Sequence, residues 1–439
     1  MHILVDSGDF VGSNLGDVAM LQVAVRRLRT MWRDASIKVL SENRDALAIH
    51  CPGTKAVAES GRRAWFADGD LFGRVHSVLP MTVSRQVFRI QDAFRQRWPR
   101  SFAWVLQAKM QMRNNGAIDL RDFLSAMDEA DLLIVSGAGG LTDHARPWAF
   151  EILNTIEMAT RRGVPTALFG QGIGPIKDPE LIAKARVVLP SVNFIAIREN
   201  RAGLSLLESL GVPLDRIMTT GDDAIELAYE KRPLSLGRAL GINLRVQPSS
   251  GVDESVIKRV RPALHESARS FGAPLKPIPI SISSAYNDSE TIRGILKGHD
   301  ESSDGGRSID TPLKVIEEVG HCRVVVTGAY HGAVFALAQG IPVVCLAKSQ
   351  YFLDKFYGLA DQFGLHPRGG AGCEIVELEA PDLPQRLMGA LRTAWDSAEE
   401  MRGVLLDSAA RQVELSWCAY RRVKELIDHR FIYEHEHNV

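Results

Sequence analysis

Short apolar, β-branched runs that end in Gly, Ser, Thr or Asp recur along the chain, and each is followed by a helical pattern. Strands that alternate with helices build parallel sheets from βαβ units, and continuous apolar runs suit strands covered on both faces. The sequence therefore predicts an α/β protein with mainly parallel sheets. The runs form a first series, HILV, IKVLS, DLLIVSG, PTALFGQG, NFIAIRE and IMTTGDD, and a second, ALGINLRV, LKPIPIS, RVVVTG, IPVVCL and CEIVEL.

A polar, proline-containing stretch, YEKRPLSLGR at 229–238, separates the two series and indicates a linker between two similar domains. With 439 residues, of which 45% are hydrophobic, the chain can bury two domain cores. We predict an N-terminal domain at 1–230 and a C-terminal domain at 231–395. The tail at 396–439 has amphipathic helical spacing, and we expect it to pack back toward the first domain.

A segment near 60–125 is too long for a simple crossover between strands, and it interleaves arginines with aromatic residues. Two interpretations stay open. The segment is either a helical insertion with aromatics in the core and arginines in water, or a surface, at 85–113, that contacts a membrane or a lipid-linked anionic substrate. The residues concerned are Arg85, Arg89, Arg95, Arg97, Arg100, Phe88, Phe94, Trp98, Phe102 and Trp104.

Charge and cysteine usage exclude several classes of protein. The net charge of -1 gives no reason to expect a nucleic-acid partner, since such proteins usually carry a basic excess. The five cysteines include no CxxC pair and no Cys/His cluster at zinc spacing, so we predict reduced cysteines and no metal site. No signal-peptide core or long apolar stretch is evident, and we expect a cytoplasmic protein, with the inner membrane face and self-association left open.

In an open parallel sheet, ligands bind beyond the carboxyl ends of the strands. The first such end carries DSGDFVGSNLGD, where Asn14 or Asp17 caps the following helix, or Asp17 accepts a proton from a sugar hydroxyl. After the third and fourth strands, Gly139, Gly140 and Gly172 in SGAGGLTD and GQGIGP would let a ligand approach the backbone. Neither segment matches a nucleotide-binding fingerprint.

Arg198 and Arg245 each end a strand, one in each predicted domain, so both could lie in a cleft between the domains. An arginine there can hold a phosphate or carboxylate through two parallel hydrogen bonds; pairing with a neighbouring acid is the alternative for each. Asp222 and Asp223 follow another strand. We expect one of them to cap a helix, which leaves the other open for catalysis.

His331 lies between a predicted buried strand, RVVVTG, and a predicted buried helix, GAVFALAQG, so it falls at a helix N-terminus. An imidazolium is disfavoured beside the partial positive charge of a helix start, whereas a bound anion is favoured there. We therefore expect His331 to be neutral in the empty site and to donate a proton once a phosphate or carboxylate has bound. A structural role for a lone histidine stays open.

The ordered series NLGD, VSGAGGLTD, FGQGIGP, AIREN, TTGDDAIELA, GINLR and YHGAVFALAQGIPVVCL, followed by DKFYGL, resembles the polysaccharide pyruvyl transferase family over about 350 residues. This family is similar in fold to the two-domain B-type glycosyltransferases. The resemblance implies two Rossmann-like domains with mainly parallel sheets facing a cleft, with acceptor binding in the first domain and donor binding in the second.

The family's chemistry is the transfer of pyruvate from phosphoenolpyruvate to two sugar hydroxyls as a cyclic ketal, with release of phosphate and without a cofactor. Its acceptor is a surface polysaccharide or the lipid-linked precursor. An acid must protonate C3 of the enol, cations must hold the anions, and a base must accept the hydroxyl proton. The resemblance implies that His331 belongs to the donor site, with Arg198, Arg245 and Lys355 as anion ligands. Together with the strand-end residues above, we predict His331 and Asp17 as catalytic residues. The predicted substrate-binding residues are Asn14, Gly139, Gly140, Gly172, Arg198, Asp222, Arg245, Tyr330 and Lys355.

The sequence departs from the family pattern at Ala329, where many members have an arginine two residues before the histidine. Loss of such a bidentate ligand could cost several kcal/mol unless Arg198, Arg245, Lys348 or Lys355 replaces it. Two alternatives follow: a nucleotide-sugar-dependent glycosyltransferase of the same architecture, or a non-catalytic glycan-binding relative. The acceptor sugar, the ketal linkage and its stereochemistry stay open.

Overall fold

A computed structural model of the chain describes residues 1–8, 11–66, 81–112, 117–246, 252–365 and 371–437. Two β-sheets, parallel throughout, form the centres of two α/β layers. Most strand residues are buried, which agrees with the continuous apolar runs and with sheets covered on both faces. The predicted class, α/β with mainly parallel sheets, is confirmed.

The first sheet has seven strands in the order β3-β2-β1-β4-β5-β6-β7. Its strands are β1 His2–Asp6, β2 Ser36–Leu40, β3 Lys55–Val57, β4 Leu132–Val135, β5 Thr166–Gln171, β6 Phe194–Ile197 and β7 Ile217–Thr219. Its helices are α1 Leu15–Met31, α2 Arg44–His50, α3 Glu59–Phe66, α4 Met81–Arg97, α5 Pro99–Met112, α6 Ala117–Asp128, α7 Arg146–Arg161, α8 Pro179–Val188, α9 Gly203–Ser209 and α10 Ala224–Glu230.

The second sheet has five strands in the order β12-β11-β10-β8-β9. Its strands are β8 Ala239–Asn243, β9 Leu275–Pro277, β10 Cys322–Thr327, β11 Val343–Ala347 and β12 Cys373–Glu377. The remaining helices are α11 Glu254–Phe271, α12 Asp288–Leu296, α13 Pro312–Gly320, α14 Tyr330–Ala338, α15 Gln350–Gln362, α16 Leu383–Asp396 and α17 Ala398–His437.

Strand β3 is the one strand of the described chain that the sequence pattern did not predict. It has three residues, Lys55–Val57, and the first of them is exposed. Because it lies at the edge of the first sheet and pairs with β2 alone, it needs no continuous apolar run.

Helix α17 packs against both domains. Leu405 and Ala409 join the core that surrounds α14, whereas Tyr420 and Val423 join the core beneath the first sheet. The ring of Tyr420 stacks on Phe169 of β5 with a centroid distance of 3.7 Å. The tail thus reaches across the first sheet from a start on the second domain.

A buried ionic cluster, which we call the α1–α17 network, attaches α17 to α1 and α10. Arg27 donates to Glu226 at 2.9 Å and to Asp223 at 3.2 Å, and its guanidinium lies over the rings of Trp417 and Tyr420. Asp223 also accepts hydrogen bonds from Ser416 and, at 3.1 Å, from the hydroxyl of Tyr420. Burial raises the pKa of Asp223 despite the opposing effect of Arg27.

The described parts of the segment near 60–125 are mainly helical, and their aromatic side chains divide between two environments. Phe102 is buried and packs edge-on against Trp65 and Phe94, whereas Trp98 and Trp104 are exposed. The side chains of Arg85 and Phe88 lie outside the described part of the structure. Within the described residues, no helix combines the length and apolar character needed to cross a bilayer.

Candidate active site

The carboxyl ends of the two sheets meet at one cleft. Tyr330 and His331, which follow β10 of the second sheet, contact Arg198 and Asp222, which follow β6 and β7 of the first. Ligands of parallel α/β sheets bind at such ends, so the cleft has the position expected of an active site. Each side of it comes from a different domain.

His331 lies in the first turn of α14, as the sequence predicts. The hydroxyl of Thr327, at the end of β10, accepts a hydrogen bond of 2.9 Å from the backbone N–H of Ala329 and fixes the turn. A Cβ added at Gly332 would lie 2.5 Å from that hydroxyl, so only glycine fits there. The turn directs an imidazole that is 5% exposed into the cleft.

Each ring nitrogen of His331 faces a carboxylate of the first domain. Nδ1 lies 4.0 Å from Oδ1 of Asp17, and Nε2 lies 3.5 Å from Oδ2 of Asp222. The ring lies directly against the start of α1, because a Cβ added at Gly16 would lie 2.0 Å from its Cγ. The predicted neutral state of His331 in the empty site stays a prediction.

Asp222 both caps α10 and faces the cleft. Its Oδ1 accepts a 2.9 Å hydrogen bond from the backbone N–H of Ala224 at the start of α10, while its Oδ2 faces His331 and Arg198. Burial acts to raise the pKa of Asp222, but the interactions with His331, Arg198 and the Ala224 N–H outweigh it and hold the pKa below its ordinary value. One of the two aspartates thus caps a helix as expected, but it is the same one that faces the cleft, because Asp223 points away into the α1–α17 network.

Arg198 and Lys355 converge on the backbone at Gly139. A Cβ added there would lie 3.0 Å from Nζ of Lys355 and 3.5 Å from Nη2 of Arg198, and one added at Gly172 would lie 2.5 Å from the same Nη2. Both glycines therefore leave room for the cations, and ligand contact at these two positions stays a prediction. The face of Tyr330 lies 4.1 Å from the Arg198 guanidinium.

Lys355 is the least completely paired cation of the cleft. Its Nζ lies 4.1 Å from the ring centroid of Tyr351, and no carboxylate of the described residues lies within 4 Å of it. Burial lowers the pKa of Lys355, Arg198 lowers it further, and Tyr351 and Asp17 oppose this effect. Arg198 and Lys355 are thus two buried cations with few carboxylates near them, and such a pair favours a bound anion.

We call the group formed by these side chains the cleft cluster; its members are Asp17, Arg198, Asp222, His331 and Lys355. The sequence analysis names all five, and the structure brings them together from residues separated by more than 300 positions.

Arg245 is close to this cluster but is committed to a structural pair. Its Nε and Nη2 donate to the two oxygens of Asp288 at 3.0 and 3.1 Å. Asp288 also accepts hydrogen bonds of 2.9 Å from the backbone N–H groups of Ile280 and Ser281. For Arg245 the alternative of pairing with an acid therefore applies, and its use as an anion ligand stays a prediction.

Two other predicted residues have structural contacts. The side chain of Asn14 accepts a 3.1 Å hydrogen bond from Gly16 N–H and caps α1, which resolves the choice between Asn14 and Asp17 as the cap. A Cβ added at Gly140 would lie 2.9 Å from Ile152 and 3.0 Å from Trp148, so this glycine permits close packing of α7. A role in substrate binding stays a prediction for both.

Three further residues at the cleft, Gly16, Tyr351 and His144, were not predicted from the sequence. Gly16 lies between Asn14 and Asp17, inside a motif that was already named, and Tyr351 lies one helical turn before Lys355 on α15. The ring centroid of His144, from the first domain, lies 4.3 Å from that of Tyr351 at the rim of the cleft. The turn spacing in YFLDK is a signal that could have identified Tyr351.

Comparison of the sequence with known families identifies one match. A model of the family described as polysaccharide pyruvyl transferase matches residues 14–350, which is most of the chain and includes four members of the cleft cluster. No curated protein matches the sequence. The chain therefore belongs to the polysaccharide pyruvyl transferase family.

Solved structures share the fold at low sequence identity. A Listeria monocytogenes protein described as a UDP-N-acetylglucosamine 2-epimerase gives a TM-score of 0.56 at 11% identity, with 98% of this chain and 97% of that chain covered. UDP-GlcNAc 2-epimerase of Neisseria meningitidis, bound to UDP-GlcNAc, gives a TM-score of 0.52 at 12% identity, with 97% of this chain and 99% of that chain covered. At such identity the likeness shows the fold alone, and it confirms two Rossmann-like domains similar to B-type glycosyltransferases.

Proposed function

We propose that this member of the polysaccharide pyruvyl transferase family transfers pyruvate from phosphoenolpyruvate to two hydroxyls of a sugar and forms a cyclic ketal. The observation that carries the proposal is the convergence of Arg198 and Lys355 on Gly139, in the same cleft as His331. Phosphoenolpyruvate carries a phosphate and a carboxylate, so it requires cations at neighbouring positions. The donor is bound without a separate cofactor.

His331 is the proposed general acid. A proton passes from its ring to C3 of the enol and makes the methyl group, while C2 becomes electron-poor and accepts the first sugar hydroxyl. Phosphate then leaves as its bond to C2 breaks, and the second hydroxyl forms the second C–O bond. Of the two hydroxyl protons, one restores His331 through Asp17 and the other leaves with phosphate.

Lys355 is the proposed replacement for the arginine that the family pattern places at position 329. Arg245 donates from Nε and Nη2 to the two carboxylate oxygens of Asp288. Lys348 lies 3.5 Å from Glu379, a side chain that is mostly exposed. Lys355 instead faces the cleft and can move toward an incoming anion, because its four-carbon stem is flexible.

The proposed acceptor is a surface polysaccharide or its lipid-linked precursor. Asp17 and Asp222 belong to the first domain, so we place the sugar beside them, and the donor between Lys355 and His331 of the second domain and Arg198, which faces them from the first. Carboxylates are suitable partners for sugar hydroxyls because they accept the hydroxyl proton in a hydrogen bond.

The test is release of phosphate from phosphoenolpyruvate by the purified protein, with the ketal methyl group followed by NMR. We expect release only when a glycan acceptor is present, and a loss of about 100-fold or more for His331→Ala. His321→Ala is the matched control, because that side chain is 60% exposed on the surface. Glycan binding without turnover, or transfer that depends on a nucleotide sugar such as UDP-GlcNAc, would contradict the proposal.

A further inference from the structure

The outer face of α4 and α5 exposes large apolar side chains. Ile90 is 68% exposed, Trp98 57%, Trp104 72% and Met112 82%. Single exposed apolar residues are ordinary, but an exposed group with one tryptophan at the junction of α4 and α5 and another on α5 marks an interaction surface.

The exposure of these side chains does not result from poor packing of the helices. On the opposite face, Phe102 and Leu106 are fully buried, and the ring of Phe102 lies 5.3 Å from that of Trp65. Arg95 donates a 2.8 Å hydrogen bond to the backbone oxygen of Trp65 at the same inner face. The pair of helices is therefore attached to the first domain by one face and presents the other to its surroundings.

The same helices are strongly basic. Residues 81–112 contain six basic residues and one acidic residue, a net charge of +5 in a chain whose net charge is -1. The acidic residue, Asp92, pairs with Arg95 within α4. Arg89 and Arg97 are exposed, as are Ile90 and Trp98, which follow them directly in the sequence, so this part of the chain exposes both cationic and apolar groups.

We propose that this outer face, defined by Arg89, Ile90, Arg97, Trp98 and Trp104, docks on the surface of an anionic membrane. Basic residues attract anionic headgroups, and tryptophan and isoleucine enter the boundary between headgroups and acyl chains. A second copy of the chain would bring one +5 surface against another, so charge opposes self-association through this face. The proposal does not depend on the chemistry of the cleft.

The docking face lies on the edge of the first sheet opposite the cleft. Arg95 and Pro99 line a groove together with Asp131, which precedes β4, and Pro165, which precedes β5. Gly139 and Gly172 follow the same two strands, and about six residues at 3.3 Å each separate the two edges by roughly 20 Å. The face therefore holds the protein at the bilayer and leaves the cleft open to a sugar that extends from it.

The experiment measures co-sedimentation of the full chain with vesicles of phosphatidylcholine alone or with about 30% phosphatidylglycerol. We expect binding to the anionic vesicles only, with a decrease as salt rises from about 0.1 to 0.5 M. The double variants Trp98→Ala/Trp104→Ala and Arg89→Glu/Arg97→Glu should each weaken binding at least about 10-fold. Circular dichroism should be unchanged, because these side chains are exposed.

Matched controls come from exposed residues elsewhere. Val187→Ala/Leu234→Ala removes apolar side chains that are 71% and 103% exposed, and Arg269→Glu/Arg386→Glu reverses arginines that are 68% and 61% exposed. Both controls should bind vesicles like the parent. Equal losses in controls and test variants, equal binding to neutral vesicles, or a dimer that the tryptophan substitutions dissociate would each overturn the proposal.

Discussion

The α1–α17 network and the cleft cluster are both buried and ionic, yet their cations are paired to different extents. Arg27 contacts two carboxylates, and two aromatic rings cover its guanidinium. Arg198 contacts one carboxylate of the described residues, at 3.4 Å, and Lys355 contacts none within 4 Å. Burial alone therefore does not distinguish a structural cation from a binding one. The two kinds of cation differ in how completely they are paired, because a fully paired guanidinium has no donor left for a ligand.

The largest expected effect is on stability, in the α1–α17 network. Arg27→Ala leaves the buried Asp223 without its cation and leaves Glu226 with Arg26 alone, so the free energy of unfolding should fall by about 3–5 kcal/mol. Urea titration measures it. The control Arg161→Ala removes an exposed ion pair with Glu157 on α7 and should change stability by about 0.5 kcal/mol or less. Equal costs for the two variants would remove the distinction between the clusters.

The second effect is on activity, in the cleft cluster. Arg198→Ala should lower kcat/KM for the donor by about 100- to 1,000-fold, because it removes a charge-assisted anion contact. Its cost in unfolding free energy should be less than half that of Arg27→Ala. Arg201→Ala is the matched control, since Arg201 follows the same strand but pairs with Asp361 at the surface. If Arg198→Ala lowers stability but its folded fraction keeps the activity of the parent, the role of Arg198 is structural.

The third effect tests how closely the domains approach at His331. Gly16→Ala places a Cβ 2.0 Å from Cγ of His331, so the ring or α1 must move. Because a displacement of about 1 Å can cost roughly 100-fold, we expect kcat to fall by about 10- to 100-fold. Gly294→Ala, inside α12, meets no atom within 4 Å and should keep full activity while gaining up to about 1 kcal/mol of stability. Full activity in the Gly16 variant would show that His331 needs no fixed position.

The smallest effect is a difference in pH dependence between two adjacent aspartates. The lowered pKa of Asp222 contributes stability above its ordinary value of 3.8 that is lost as pH falls through the folded pKa. The raised pKa of Asp223 contributes in the opposite sense, fully below 3.8 and less as pH rises through its folded pKa. Asp222→Asn should therefore flatten the acid-side loss of unfolding free energy, and Asp223→Asn should remove a decline at higher pH. Denaturant titrations at pH values below and above 3.8 should show that the two substitutions change the slope of unfolding free energy against pH in opposite directions. Changes in the same direction would contradict this prediction.

Much of the fold could be predicted because its determinants are local. Each buried strand is a short apolar run, and each parallel connection needs a helix, so the alternation appears directly in the sequence. Strand β3 was not predicted, because three residues at a sheet edge are too few to show a periodic pattern. The helix start at His331 was predictable from Gly328, the preceding strand and the following apolar helix.

Which residue of the site has which contacts could not be predicted from the sequence, because this depends on the direction in which each side chain points. Asp222 and Asp223 are adjacent, have the same chemistry and follow the same strand, but one faces the cleft and the other faces α17. Arg27 and Asp223 are 196 positions apart, and nothing in either local sequence indicates the pair. Gly16 has its role only because a ring from the other domain occupies the space where its side chain would be.

The two attachments of α1 to other parts of the molecule limit how the domains can move. At its start, Leu15 N–H donates to Ile280 at 2.8 Å and Ile282 N–H donates to Ser13 at 2.9 Å; further along, Arg27 holds α17. Twelve residues of helix separate these points by about 18 Å. A rod fixed at two points permits rotation about the line that joins them but little translation. Gly16 and His331 lie beside that axis, so we expect their contact to persist if the domains rotate about it.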